Sequence, residues 1–492
     1  MNEVSTPQAA PRVQTVGAWL GPAAAVACYL VLGQAAMDEP ARRLASVVVL
    51  MAVWWITEAI PLATTALIPI VLFHPLSIAP VRSAAAPYAD PVIFLFMGGL
   101  MLGKALERWG AHRRLALKVI LGVGTGPRQI VAGVMIAAAL LSAFVSNTAT
   151  AVMMLPIIAS IAVLAGGDDP DHPHARRYGA CLLIGLAWAC SIGGLATITG
   201  SPPNGILAGF MEERLDTAVT WGAWLKIGLP ITLILLPTAW FILVFVATPV
   251  RIGAIPGGRG HIRELLERMG RPSRGEKITL IVFALTAAAW ILHAPITARL
   301  NAGRTGADRF TGLHDAAIAI GAAVVLFLLP AGRGRRVLDW QTAERIPWGV
   351  LLLFGGGLSL ASAFGTTGLD TWLGAQLAGM GSPAPILAVL AVTGLIVFMT
   401  ELTSNTATTS TMLPVLAAAA EGLGMDAKPL VIAAALSASC AFMLPVATPP
   451  NAIVFSSGSL SIRQMATAGL WMNLVSIAVI TLYVGLLGSR ML

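Results

Sequence analysis

A polar segment of eleven residues occurs twice in an otherwise oily chain, and the duplication limits the folds open to it. Ser146-Asn147-Thr148-Ala149-Thr150, closed by Met154-Leu155-Pro156, returns as Ser404-Asn405-Thr406-Ala407-Thr408 with Met412-Leu413-Pro414, so position 146 maps onto position 404, an offset of 258. The same offset carries Leu95-Phe96 and Gly98-Gly99-Leu100 onto Leu353-Phe354 and Gly356-Gly357-Leu358. A register kept over that distance marks two related halves. Of the 492 residues, 57% are hydrophobic and 11% charged, and repeated apolar stretches of about 18 or more residues put such a chain in a lipid bilayer. In a membrane protein, a duplicated half whose best-kept piece is polar is the pattern of a secondary transporter with its site at the repeat interface.

Residues 1 to 17 lack the charged start and the A-x-A-like cleavage site of a signal peptide, so the first apolar stretch is expected to stay as a span. The formal charge of +8 does not point to nucleic acid, because the basic residues sit in short loops between spans rather than on one compact face. Cys28, Cys181, Cys190 and Cys440 lie in apolar stretches without metal-ligand or disulfide spacing, and the histidines are scattered near span ends.

Apolar windows place spans near 17–36, 43–60, 62–78, 91–105, 180–198, 222–248, 278–294, 313–330, 347–364, 430–446 and 466–488. This predicts an all-α polytopic membrane protein of about 11 transmembrane helices, plus two re-entrant hairpins at 128–165 and 384–420 that carry the Ser-Asn-Thr clusters. Around the first cluster the apolar arms are about 17 and 14 residues, or roughly 25 and 21 Å, short of a 30 Å hydrocarbon core. Two ordinary spans joined by a surface turn are the alternative. Five crossings separate the hairpins, so they enter from opposite faces and the repeats are inverted.

The expected organisation is N-terminal scaffold helices over 1–90, a first inverted repeat over 91–250, a connector at 251–277, scaffold helices over 278–346 and a second repeat over 347–492. With the amino terminus cytoplasmic, the loops on that side hold 21 of the 31 basic residues, which predicts amino terminus in and carboxyl terminus out in the cell's inner (plasma) membrane. Glu107 to Val123 is too charged to span and reads as a helix along the cytoplasmic surface.

Non-helical backbone at membrane depth must face a cavity or a ligand. The second helix of each hairpin begins after its cluster, so its free N–H groups favour an anion, while the carbonyls ending the first helix favour a cation. Asn147 and Asn405 serve both, since one amide offers an oxygen to Na⁺ and an NH₂ to a carboxylate. Each half also holds a broken segment, Thr199-Gly200-Ser201-Pro202-Pro203-Asn204 and Ala447-Thr448-Pro449-Pro450-Asn451, where paired prolines interrupt the helix. The different spacing of these copies falls in the loop Asp168 to His172, expected to lie off the site. Glu58, Lys104 and Glu401 stand out as ionisable residues at membrane depth, with Glu58 and Glu401 read first as buried structural acceptors.

The tract Trp54 to Pro69 (WWITEAIPLATTALIP), both SNTAT segments and Ser439 to Asn451 (SCAFMLPVATPPN) resemble the divalent anion:sodium symporter family over nearly the whole chain. The resemblance implies a homodimer with scaffold and transport domains, Na⁺-coupled uptake of di- or tricarboxylates or sulfate, and an elevator-like movement. It also implies one Na⁺ site from Ser142, Ser146, Asn147 and carbonyls near Gly200, and a second from Thr400, Thr403, Asn405 and Ala447. The anion would be held by Asn147, Thr148, Ser201, Asn405, Thr406, Thr448 and Pro449. Thr403 stands where some members have Ala. A C4-dicarboxylate is favoured over sulfate or citrate, because two separated tips suit two separated carboxylates. Sodium-independent exchange is the rival within transport. An intramembrane enzyme is remote, because neither repeated Ser has a paired His.

Overall fold

The computed structural model describes residues 12–487 apart from 36, 167–172, 253–257, 303, 305–311, 333 and 378–382. The loop Asp168 to His172 therefore lies outside the described residues. Among those described, helices account for nearly everything, and the single ribbon pairs Pro330–Gly332 with Arg335–Arg336.

Most expected spans are single helices: Arg12–Leu32, Glu39–Thr57, Pro91–Arg108, Trp221–Phe241 with a π-helical extension to Ala247, Arg274–Leu300, Asp315–Leu328, Trp348–Thr367 and Ile462–Leu487. Two others come in two pieces. Pro173–Leu195 is continued by Pro202–Leu215, and Ala427–Ala438 by Pro449–Phe455, with non-helical chain between. The prolines do not sit in the break itself. They open the second helix, where a fixed φ is an advantage and a missing N–H costs nothing.

The stretch 62–78 departs from the expected single span. It forms two short helices, Leu62–Thr65 and Ile68–Leu72, because Pro69 lacks the N–H that would bond the Thr65 carbonyl and its ring crowds that position. The charged stretch 107–123 also divides. Glu107 and Arg108 finish the preceding helix, Gly110 turns the chain at φ 69°, and Ala111–Val123 is a separate helix. Arg114 on that helix is buried and paired with Glu276 at 2.6 Å, so one face is tied inward rather than lying free on a surface. The repeat persists in this detail: Gly368, at offset 258 from Gly110, ends Trp348–Thr367 with φ 74°. The connector 251–277 contains a helix, Gly258–Arg268, which buries Ile262 and packs against the helix 111–123.

The first hairpin consists of Pro127–Ser142 and Asn147–Gly166, the second of Pro385–Thr400 and Asn405–Gly422. The arms of the first are 16 and 20 residues, because the polar cluster forms the first turn of the second arm instead of a loop. Ser146 Oγ accepts the Ala149 N–H at 3.2 Å, and a helix start with free N–H groups suits Asn and Thr. At 20 residues the second arm reaches about 30 Å, so shortness is not what makes the hairpin re-entrant. Its tip turns inside the protein, in the cavity that also receives the second tip.

The apolar window of His174–Leu195 is 100% buried and that of Val13–Leu32 only 11%, which puts the first broken helix at the centre and the amino-terminal helix at the periphery. The two repeats meet at Phe96 and Phe354, themselves related by the offset of 258, with ring centroids 4.7 Å apart and planes at 76°. Gly205 lies over this pair. A Cβ there would strike the Phe96 ring and come within 2.8 Å of Phe354 Cε2, so close approach requires glycine.

Candidate substrate and ion site

Each hairpin tip is a four-residue turn, 143–146 and 401–404, joining two helices end to end. At the first, Ser142 Oγ lies against Asn147 Oδ1 and 2.8 Å from the Cys190 carbonyl. At the second, Thr400 Oγ1 is 2.6 Å from Asn405 Oδ1 and 2.9 Å from the Ala438 carbonyl. A hydroxyl has one proton, and here each faces two acceptors. Each tip therefore clusters a hydroxyl, an amide oxygen and a backbone carbonyl, oxygen donors of the kind that suit a small hard cation. The backbone tightens the first cluster further. A Cβ on Gly200 would lie 2.6 Å from the Gly194 carbonyl oxygen and 3.0 Å from that of Ala143, and one on Gly194 would lie 3.1 Å from Asn147 Oδ1.

The asparagines of the Pro-Pro-Asn segments hold the breaks open. Asn204 Nδ2 donates to the carbonyls of Gly194 at 2.9 Å and Thr197 at 2.8 Å, and Asn451 Nδ2 to those of Ala441 at 3.3 Å and Leu444 at 2.9 Å. From 204 to 451 the offset is 247, and both acceptor pairs keep it. Both Oδ1 atoms are buried without a hydrogen-bond partner. The second break has an additional anchor absent from the first. Glu401, buried in its tip, accepts the N–H groups of Phe442, Met443 and Leu444 at 2.7, 2.9 and 2.9 Å and Asn473 Nδ2 at 2.8 Å. With these four donors and no ion-pair partner among the described residues, Glu401 is placed as a structural acceptor. Ser201 and Ser439 hydroxyls meet at 3.0 Å and tie the two breaks together.

Both tips and both breaks line one cavity of about 1100 Å³. Asn147, Thr148, Ser201, Asn405, Thr406, Thr448 and Pro449 all face it, as do Ser146, Gly200, Thr403 and Ala447. Ser142 and Thr400 are fully buried behind the asparagines they touch. Thr403 Oγ1 is engaged inside its own hairpin, donating to the Met399 carbonyl at 2.8 Å and lying 2.7 Å from Thr408 Oγ1, which leaves its backbone carbonyl as the group for a ligand. The ionisable and amide side chains elsewhere in the lining are those of Gln14, Glu58, Lys104, Glu107, His112 and Arg345. At the first tip Phe144 stacks on Trp221 at 6.1 Å and meets Phe283 edge-on at 4.9 Å. Leu402, its counterpart at offset 258, is 72% exposed.

Residues 19–492 match the family described as the sodium:sulfate symporter transmembrane region. The chain belongs to this family. Its sequence is 38% identical over 480 residues to the sodium-dependent dicarboxylate transporter SdcS of Staphylococcus saprophyticus, covering 96% of this chain and 91% of that one. The SdcS of Staphylococcus aureus strain USA300 is 38% identical over 442 residues, covering 88% and 83%. Two solved structures share the fold: MtrF of Neisseria gonorrhoeae, from a class of antimetabolite efflux pumps, with TM-score 0.59 and 13% identity over 97% of this chain and 98% of that one, and the YdaH transporter of Alcanivorax borkumensis, with TM-score 0.56 and 15% identity over 92% and 98%. Membership of this symporter family makes the chain a transporter, with Na⁺ as its coupling ion, and not an enzyme.

Several parts of this candidate site carry no signal in single-sequence reading. The carbonyls of Cys190 and Ala438 are backbone groups and leave no trace in residue type. Asn473 lies far along the chain from Glu401, and only the fold joins them. Asn204 and Asn451 were visible in the repeated motif, yet their staple role depends on which carbonyls the break presents.

Proposed function

We propose that this protein imports a C4-dicarboxylate such as succinate, together with Na⁺, by an elevator-type alternating-access cycle. The observation that carries the reading is the meeting of two asparagine-led tips in one cavity, each with a cluster of oxygens and neither containing Lys or Arg. A dianion entering such a place meets only dipoles, at a cost of several kcal/mol per uncompensated charge. Cations must enter with it. Ser142, Ser146, Asn147 and the Gly200 carbonyl would take one Na⁺, and Thr400, Thr403, Asn405 and the Ala447 carbonyl another. The dianion then lies between the helix starts, held by Asn147, Thr148, Ser201, Asn405, Thr406, Thr448 and Pro449. The names of the staphylococcal relatives support both the coupling ion and the substrate class.

In this reading the hairpins and broken helices form a transport domain that moves against scaffold helices in a homodimer of the inner (plasma) membrane, with the amino terminus cytoplasmic and the carboxyl terminus outside. The distribution of basic loops supports that orientation. Sulfate transport on the same scaffold is the second reading, favoured by the family's description. Purified protein in liposomes, given labelled succinate or sulfate with and without a Na⁺ gradient, tests both. Succinate uptake that collapses in choline is expected. Sulfate-only uptake would transfer the site to the second reading, and uptake indifferent to choline would leave an exchanger.

A further inference from the structure

One of the hydroxyls assigned to the substrate is touched by the opposite repeat. Ser201, from the first break, meets Ser439, from the second, with their oxygens 3.0 Å apart. Ser201 belongs to the cavity lining, and Ser439, 2% exposed, does not. Each hydroxyl has one proton. Ser439 Oγ has no other hydrogen-bond partner among the described residues, so its proton goes to Ser201 Oγ; the reverse direction would leave a buried donor with no acceptor. Ser201 then accepts on its protein side and keeps its own O–H free for the cavity, the arrangement an anion needs.

The repeat-related residue reaches the same state by a different route. Thr448, 247 positions after Ser201, is the N-cap of its helix and accepts the Asn451 N–H at 3.3 Å. Ser201 also stands at an N-cap, yet its side chain caps nothing, and the Asn204 N–H goes to its backbone carbonyl at 3.1 Å instead. The Ser439 hydroxyl supplies the missing donor. Ser439 follows Ala438, whose carbonyl takes the Thr400 hydroxyl, and in the first half Ser191 stands at the same step after Cys190. Ser191 is equally buried, but its Oγ is bonded to nothing among the described residues.

We propose that Ser439 is a positioning residue for the substrate: donating across the boundary between repeats, it aims the Ser201 proton at the dianion. This rests on the reading of Ser201 as a dianion ligand, and it makes one repeat orient a ligand carried by the other.

Equilibrium binding of labelled succinate to the purified full chain at saturating Na⁺ tests it through a double-mutant cycle. Ser439→Ala should raise Kd about threefold to tenfold, the range of one neutral hydrogen bond, and Ser439→Cys, a weak donor of similar shape, by less. Ser201→Ala should raise Kd more than either, since it removes the donor itself. Adding Ser439→Ala to Ser201→Ala should then change Kd by less than about twofold, because Ser439 acts only through Ser201. Ser439→Cys carries the cycle if Ser439→Ala fails to fold. Ser191→Ala, which deletes a buried hydroxyl that makes no hydrogen bond, should leave Kd unchanged. A merely structural Ser439 would lower the unfolding temperature while the losses of the two variants multiply. That multiplication overturns the proposal, as does wild-type Kd in Ser439→Ala or an equal rise in Ser191→Ala. Unchanged Kd in Ser201→Ala removes Ser201 from the ligands and the role of Ser439 with it. If the wild type binds sulfate and not succinate, the dicarboxylate reading alone fails, and the same cycle with labelled sulfate decides Ser439 by the same criteria.

Discussion

At the scale of single residues, the candidate site is a cluster of oxygens around each asparagine. Asn147 and Asn405 each present the side-chain amide to a hydroxyl that also faces a backbone carbonyl, so each tip gathers three oxygens within reach of one small cation. Asn147→Asp and Asn405→Asp preserve shape and add a negative charge where the substrate carries two. Each is expected to reduce Na⁺-driven succinate uptake at least tenfold, on the order of what one like-charge contact costs in a partly dry site, while the protein still folds. Wild-type uptake by either variant would remove that asparagine from the site. Glu401 belongs to a different class. Its four donors include three consecutive backbone N–H groups, so Glu401→Gln, which places an NH₂ among donors, should cost about 1.5–3 kcal/mol per charged hydrogen bond lost. A lower unfolding temperature in detergent is the expected sign, and an unchanged one would contradict the structural role. The residue types of both asparagines and of Glu401 were legible in the sequence. Their division into ligand and strut was not, because it depends on which backbone groups the breaks turn towards them.

Among elements, the duplication made the broken architecture readable before any coordinates. Hairpins, Pro-Pro-Asn breaks and inverted order all follow from it, and the helix-ending glycines Gly110 and Gly368 extend the match further. Boundaries were less legible. The polar cluster looked like a loop because Ser, Asn and Thr are poor helix formers, yet a helix's first turn is where their side chains compensate free N–H groups, so the second arm begins at Asn147 itself. The stretch 62–78 looked continuous by hydropathy, a measure blind to the proline at position 69. Helix Pro202–Leu215 packs through Gly205 on the Phe96–Phe354 pair, and that contact has no room for a methyl group. Gly205→Ala should destabilise the protein by about 1–3 kcal/mol, the usual effect of overpacking a filled core. Phe96→Leu in the same chain should recover part of the loss in a thermal unfolding assay. Absence of rescue would place the clash elsewhere.

For the whole molecule, both hairpin tips line one cavity, and they differ in their surroundings: Phe144 at the first packs against Trp221 and Phe283, whereas its counterpart Leu402 at the second is 72% exposed. Leu402 lines that cavity and is the position at which the proposed cycle is tested. Leu402→Cys should react readily with a water-soluble maleimide, and Na⁺ with succinate should slow the reaction severalfold; labelling unaffected by both would separate the cavity from the substrate path. Cys181, Cys190 and Cys440 are buried, which limits background to the partly exposed Cys28. Everything at this scale depends on the tips accepting a dianion only in company with Na⁺. Equilibrium binding of labelled succinate to the purified wild-type protein, across a titration in which Na⁺ replaces choline at constant ionic strength, is the most direct measure of that dependence. No detectable binding in choline, and an affinity that climbs steeply as Na⁺ rises, are the expected results. Equal affinity in choline and Na⁺ would contradict that dependence.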